Sequence, residues 1–375
     1  MNFNITSFLE NVNYKFRKEN ILTSLPEKFI DDAVNIIPKW KTYAFTSLKN
    51  LDHLENKFNI KNIFYKDEGE RFDLKSFKAL GGAFAVDKIA KNRKSITVAT
   101  ATAGNHGRSV AWGAKRLGIK CKIFISENVS EERANEMRKL DADVIRVSGN
   151  YENSLQACIK ESTEKNWEIV QDVSWDNYKT VPQLIMAGYT LMVKEIAEQT
   201  DINSITHVFL QAGVGGMAAA VIAGFAKFSK NIPCFIIVEP ETADCVFQSI
   251  KNNKSTKIDI KKESLMGGMS CESVSTIAWE ILKESSNFCC TVSDDYIAPA
   301  IALLNQKEIS KDKIISGECG VPGVIALDGI LNDNELKSKL KINSESNVLL
   351  IGCEGLTDES NYYEFLEKGI KELRK

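Results

Sequence analysis

The chain changes character near residue 60. Before it, polar stretches dotted with aromatic residues dominate, with helical spacing of apolar positions over 27–36 and again over 48–58. After it, short runs rich in β-branched and aromatic residues occur at 63–66, 96–101, 121–125, 144–147, 168–171, 207–211, 234–238 and 348–352. Longer helical runs at 107–117, 131–140, 151–165, 183–199 and 216–228 lie between them. That alternation predicts βαβ units and mostly parallel sheets in an α/β fold. Val208-Phe209-Leu210 and Phe235-Ile236-Ile237-Val238 are apolar without a break, the pattern of strands covered on both faces. Residues 251–267, rich in Lys, Asn and Ser, and residues 310–314 predict surface excursions. A length of 375 residues predicts about two domains. There is no repeat, low-complexity tract or long Pro/Gly linker to separate them, so the chain is expected to cross between domains more than once.

In open α/β sheets, ligands collect at the carboxyl ends of strands, so the residues following each strand carry the chemistry. After the 63–66 run comes Lys75-Ser76-Phe77-Lys78-Ala79-Leu80-Gly81-Gly82, which opens a helix. A lysine at a helix start with two small residues behind it is placed as a fixed amine, and such an amine attacks carbonyl carbons once its pKa is lowered. Lys78 is therefore read as the Schiff-base carrier of pyridoxal phosphate. After 96–101 comes Thr102-Ala103-Gly104-Asn105-His106-Gly107-Arg108, a small-residue loop entering a helix. Its backbone N–H groups suit a carboxylate, and Asn105 suits a phenolic oxygen. After 207–211 comes Ala212-Gly213-Val214-Gly215-Gly216-Met217-Ala218, a glycine-rich turn that can cradle a phosphate. The same stretch satisfies GxGxxA, and Glu239 ends the next strand, so a dinucleotide site is a second reading. Asp172 follows 168–171 as a candidate general base, and Cys353 follows 348–352, where it can face a heteroaromatic nitrogen. The bracketed turn Ser316-Gly317-Glu318-Cys319-Gly320 is a further candidate for the same site.

Composition narrows the partners. Net charge is −2 with both signs interspersed, which argues against nucleic acid or an anionic membrane. No apolar run approaches the roughly 20 residues a bilayer requires, and the first residues lack the features of a signal peptide. Nine cysteines without a CxxC pair read as reduced thiols in the cytoplasm. His53, His106 and His207 are too dispersed for a zinc site, so no metal is expected.

Taken together, Lys66-Asp67-Glu68, Arg71-Phe72, Phe77–Ala83, Gly104–Trp112, Val170-Gln171-Asp172, Gln211–Gly215 and Ile237–Pro240 resemble the fold type II pyridoxal-phosphate enzymes, the tryptophan-synthase-β and threonine-dehydratase group. Within that group the likeness is strongest to the diaminopropionate ammonia-lyase family and runs from about 60 to 360. The resemblance implies two open, twisted, mostly parallel sheets flanked by helices. A large domain of 1–85 plus 195–375 and a small domain of 86–194 would hold the cofactor in the cleft between them. It implies Lys78 as the Schiff-base lysine and Asn105 at the cofactor's 3-hydroxyl. Gly213, Val214, Gly215, Gly216 and Met217 would form the phosphate cradle, with Cys353 at the pyridine nitrogen. Thr102, Ala103, Gly104, Asn105 and His106 would hold the substrate, and Asp172 would take the α-proton of L-2,3-diaminopropionate. A homodimer follows by analogy.

Three departures stand out. Ala103 occupies the position where the family's enzyme for both enantiomers carries the aspartate that handles the D-isomer, so weak D-activity is expected. Thr-Pro-Leu becomes Phe45-Thr46-Ser47-Leu48, and Lys75 replaces an uncharged polar residue. The rivals are a serine/threonine dehydratase-like or cysteine desulfhydrase-like lyase of the same fold, a NAD-dependent oxidoreductase, and a cofactor-holding protein without turnover.

Overall fold

A computed structural model describes residues 3–93, 95–306 and 313–374. Part of the expected excursion at 310–314 lies outside them. The strands are β1 Ile5–Glu10, β2 Leu48–Asn50, β3 Asn62–Asp67, β4 Thr97–Ala101, β5 Lys120–Ser126, β6 Asp143–Val147, β7 Glu168–Ile169, β8 His207–Gln211, β9 Cys234–Pro240, β10 Phe288–Val292 and β11 Asn347–Gly352.

The chain folds as two compact units. The first comprises Met1–Glu27, Ala44–Ser76 and Met192–Lys375; the second comprises Lys28–Tyr43 and Phe77–Leu191. The first unit carries a seven-stranded sheet of order β1-β10-β9-β8-β11-β3-β2. Its five inner strands run parallel, and β1 and β2 are antiparallel edges. Val208, Phe209, Leu210 and Phe235 to Val238 are fully buried, as continuous apolar strands require. The second unit carries a parallel four-stranded sheet of order β6-β5-β4-β7.

The sequence placed the first division at 85/86; the compact units divide at 76/77. The helix Lys78–Ala90 explains this. A Cβ on Gly81 would stand 2.4 Å from Tyr189 Cε1, and one on Gly82 would stand 2.5 Å from Ser109 Oγ. That helix is seated directly on helices of the second unit. Residues 28–43 join the same unit through Trp40, which meets Trp112 edge-on at 5.7 Å and lies 3.9 Å from the Arg116 guanidinium. The Lys88–Asp32 ion pair at 2.5 Å adds to this attachment.

Elsewhere the expected helix over 48–58 is strand β2 followed by the helix Asp52–Phe58. Leu48, Leu51, Leu54 and Phe58 carry helical spacing, but β2 pairs antiparallel with β3, and pairing overrides the period. The expected single helix over 183–199 is two, Thr180–Tyr189 and Leu191–Gln199. At the break, the Thr190 hydroxyl donates to the Ala187 carbonyl at 2.6 Å, a local bond that competes with the helix ladder. Strands β1 and β10 have no counterpart in the sequence reading.

Candidate active site

In the second unit, β4 and β7 are parallel neighbours, so the loops that follow them emerge from the same sheet edge. Gln171 ties these ends together. Its side chain accepts from Thr100 Oγ1 at 2.8 Å and from the Ala101 amide at 3.2 Å, and it donates to the Ala101 carbonyl at 3.0 Å. The side-chain amide thus extends the ladder past the last backbone pair, and Asp172 follows from a fixed point.

Lys78 is the first residue of its helix, with Phe77 at the N-cap. Its Nζ lies 2.5 Å from Asp172 Oδ2, 5.4 Å from the Phe77 ring centroid and 6.0 Å from that of Tyr189. His106 Nδ1 stands 3.9 Å from the same Asp172 oxygen. Burial works against the Asp172 anion, but His106 and Lys78 outweigh it and hold its pKa well below the carboxylate range. Burial holds the His106 pKa down and keeps the ring neutral near pH 7, with Asp172 opposing and Lys78 adding to the depression. The Lys78 ammonium is therefore the cation that governs Asp172 at neutral pH.

In the loop 102–104 two of the amides expected to receive a carboxylate are already engaged. The Thr102 amide already donates to the Phe124 carbonyl at 3.1 Å, so it does not serve a carboxylate. The Thr102 hydroxyl accepts from the Gly104 amide at 3.3 Å. Gly104 is the N-cap and Asn105 the first helical residue, so Asn105 is not a capping side chain. Ala103 and Asn105 are half-buried, Gly104 is exposed and His106 is buried.

In the first unit, β8 delivers Gly213 to Met217 into the helix Gly216–Phe228. Gly215 has φ +86°, a left-handed conformation natural to glycine, and a Cβ there would meet Leu282 Cδ1 at 2.8 Å. A Cβ on Gly213 would meet Met269 Cα at 2.9 Å and Cys271 Sγ at 3.0 Å. The amides at the head of this helix have no intrahelical acceptor, and the helix dipole favours an anion there. Cys353, buried after β11, donates its thiol proton to the Cys319 carbonyl at 3.0 Å, and the Cys319 amide donates to Glu354 at 3.0 Å. The 316–320 turn and Cys353 are therefore neighbours. Each unit by itself offers a feature that suits pyridoxal phosphate: in the second, an amine paired with an anion suits its aldehyde, and in the first, a side-chain-free turn at a helix head suits its phosphate.

The dinucleotide reading fails at Glu239. Its carboxyl is wholly buried and accepts from the Val246 and Phe247 amides at 2.8 and 2.6 Å. Burial raises its pKa to about 8 despite those bonds. An interior cap of this kind does not meet a ribose.

Sequence reasoning missed Tyr189, whose ring rests on Gly81 and meets Phe77 edge-on at 4.7 Å. One tyrosine of nine, at the end of a helix, carries no signal that could have found it.

The chain belongs to the pyridoxal-phosphate dependent enzyme family, whose pattern it matches over residues 40–354. The fold is type II. Diaminopropionate ammonia-lyase of Escherichia coli K12 is 33% identical over 351 residues, covering 87% of this chain and 88% of that protein. The Salmonella typhimurium enzyme of the same name is 32% identical, covering 88% and 90%. The crystal structure of the Escherichia coli diaminopropionate ammonia-lyase with an aminoacrylate-PLP azomethine intermediate matches with a TM-score of 0.89 at 31% identity, covering 98% of this chain and 99% of that one. Threonine deaminase isoform 2 from Solanum lycopersicum, at 19% identity and a TM-score of 0.78, shares the fold.

Proposed function

We propose that this chain is a pyridoxal-phosphate-dependent ammonia-lyase that eliminates ammonia from L-2,3-diaminopropionate, after which water hydrolyses the released enamine to pyruvate and a second ammonia. The observation that carries the reading is the 2.5 Å contact of Lys78 Nζ with Asp172 Oδ2, in a chain about one-third identical to two such enzymes. Lys78 would hold the cofactor's carbonyl end and Asn105 its 3-hydroxyl, while the Gly213–Met217 turn would take its phosphate and Cys353 would serve the pyridine nitrogen. When bound, the cofactor supplies an electron sink for charge developing at the substrate α-carbon.

The chain's own residues do the rest. The backbone amides of Ala103, Asn105 and His106 would orient the α-carboxylate, since those of Thr102 and Gly104 already donate within the loop and sheet. Asp172 Oδ2 accepts the α-proton; its pKa rises toward a useful base once Lys78 is no longer an ammonium beside it. Phe77 and Tyr189, both buried, flank the Lys78 amine. Lys78 Nζ is placed to exchange a proton with Asp172.

Ala103 supports a preference for the L-isomer, since a methyl group accepts no proton. The same residue favours, as a second reading, a lyase for another β-substituted amino acid. The nine cysteines form no disulfide among the described residues, which supports a reducing compartment, and we place the enzyme in the cytoplasm. No helix of the described residues is long and apolar enough to cross a membrane. A homodimer is the proposed assembly, to be checked by light scattering.

The test is pyruvate release by the purified holoenzyme from L-diaminopropionate, L-serine and L-cysteine, with Lys78→Ala alongside. The diamino acid is expected to be the best substrate, and the variant to lose both the bound cofactor's visible band and turnover. A variant retaining both would refute the assignment of Lys78.

A further inference from the structure

Two buried polar atoms near the Lys78–Asp172 pair lack a hydrogen bond of normal geometry, His106 Nδ1 and Tyr189 Oη, and the Lys78 amine acts on Tyr189 Oη without closing one. Their residues are 3% and 2% exposed. Each such atom weakens the fold, because its desolvation is uncompensated, and native chains keep few of them without a use. Their chemistry is defined by what surrounds them. His106 Nε2 lies 2.8 Å from the Val170 carbonyl, so the proton sits on Nε2 and Nδ1 presents a bare lone pair. Tyr189 is kept a neutral phenol, since burial raises its pKa while the nearby Lys78 amine draws it partly back. His106 Nδ1 stands 3.9 Å from the Asp172 oxygen that Lys78 Nζ touches, the Tyr189 ring centroid lies 6.0 Å from that amine, and the Lys78 charge acts on both residues.

Two neutral acceptors and one carboxylate are what a primary ammonium asks for, with three N–H donors and one positive charge. A hydroxyl brings one donor and no charge, and would leave at least one of these acceptors unpartnered. Resting on the function proposed above, we infer that Tyr189 Oη and His106 Nδ1, with Asp172, seat the β-ammonium of a diamino acid and select it over a β-hydroxyl. The side chain of Lys78, itself a primary ammonium, marks where such a group fits. A site built to bond a polar substituent discriminates strongly against analogues that lack it.

The test is Tyr189→Phe in the holoenzyme, which removes one oxygen and leaves the ring on Gly81 and Phe77. The ratio of kcat/KM for L-diaminopropionate to that for L-serine is expected to fall at least tenfold, through the diamino acid alone. Ammonium chloride is expected to raise the parent's melting temperature more than sodium chloride does at equal ionic strength, and to lose that advantage in the variant. The variant's own melting temperature is expected to equal or exceed the parent's. A ratio within twofold of the parent with an unchanged ammonium shift overturns the seat. An equal fall for both substrates with a lowered melting temperature also overturns it, since that is a structural role. If the parent turns over L-serine and not the diamino acid, the proposed function fails. The ammonium shift still decides the seat in that case: its loss in the variant supports the seat and its persistence refutes it.

Discussion

Four charges with no measurable exposure of their side chains lie together in the first unit: Lys66, Glu68, Arg71 and Glu195. Glu195 is the hub. Its carboxylate accepts from Lys66 Nζ at 2.7 Å, Arg71 Nη1 at 2.8 Å, Arg71 Nη2 at 2.7 Å and Thr46 Oγ1 at 3.4 Å. Arg71 also bonds Glu68 twice, at 2.7 and 2.8 Å. The formal charges cancel, and burial, which opposes the Glu195 anion, is outweighed by Arg71 and then Lys66, so its pKa lies below the usual range. Glu195→Gln keeps the shape and removes the charge, leaving two buried cations against one anion. Breaking a buried pair in this way costs about 3–5 kcal/mol. For a unit of this size that corresponds to a fall of roughly 6–20 °C in the melting transition. Lys66→Met alone leaves the opposite imbalance and is expected to cost a similar amount. The double variant restores neutrality with the Arg71–Glu68 pair intact, so its loss should be smaller than the sum of the singles by at least ~1 kcal/mol. Urea denaturation of the four proteins measures this. Single variants within ~0.5 kcal/mol of the parent, or strictly additive losses, would refute the account of the network as a mutually neutralising unit. The network also bears on Lys78. The Arg71 carbonyl accepts from the Leu74 and Lys75 amides at 3.0 Å each, holding a turn in which Phe72, Asp73 and Lys75 take left-handed φ of 52°, 57° and 59°. Non-glycine residues there carry roughly 1–2 kcal/mol of strain each, so the turn needs a rigid anchor. It leads directly into the Lys78 helix, and the Glu195 variant is expected to lose activity at temperatures below its melting transition.

Ala103→Asp restores a carboxylate ahead of Gly104-Asn105-His106-Gly107, and the variant is expected to gain D-diaminopropionate turnover at least tenfold over a parent that is nearly inactive on it. Chiral substrate assays measure this, and parent turnover of D comparable with L would contradict the reading of Ala103. Glu239 ties stability to pH in one direction. Its folded pKa of about 8 lies above the ordinary value of 4.5, so its contribution is fully present below pH 4.5 and is lost as pH rises toward 8. The loss amounts to roughly 3–5 kcal/mol across that window and should vanish in Glu239→Gln. Unfolding free energies at pH 5, 6.5 and 8 test this, and parallel pH profiles for parent and variant would overturn it.

The parts of this fold that were legible from the chain alone are those whose period is set locally. The helices Glu27–Ile36, Tyr151–Lys165 and Gly216–Phe228 match their expected bounds because nothing outside them competes with their spacing or caps. Residues 48–58 were misread because a strand pairing decided by β3 does not appear in the apolar spacing of the segment itself. Strand β1 escaped because Ile5–Glu10 is half polar and is a strand only against β10. The site divides in the same way. Lys78, Asp172 and the glycine turn can be nominated from the sequence since each follows a strand and is of a residue type that the proposed chemistry needs. The GxGxxA pattern was ambiguous because any anion at a helix head asks for the same backbone, and it took the inward orientation of Glu239 to separate the readings. Tyr189 and the lone pair of His106 were invisible. What distinguishes them is a missing hydrogen bond, and an absence of that kind exists only once the chain is folded. Residues recognised by their bonds leave motifs in a sequence, whereas a residue marked only by a bond it does not make leaves none, so such positions are the least readable from sequence.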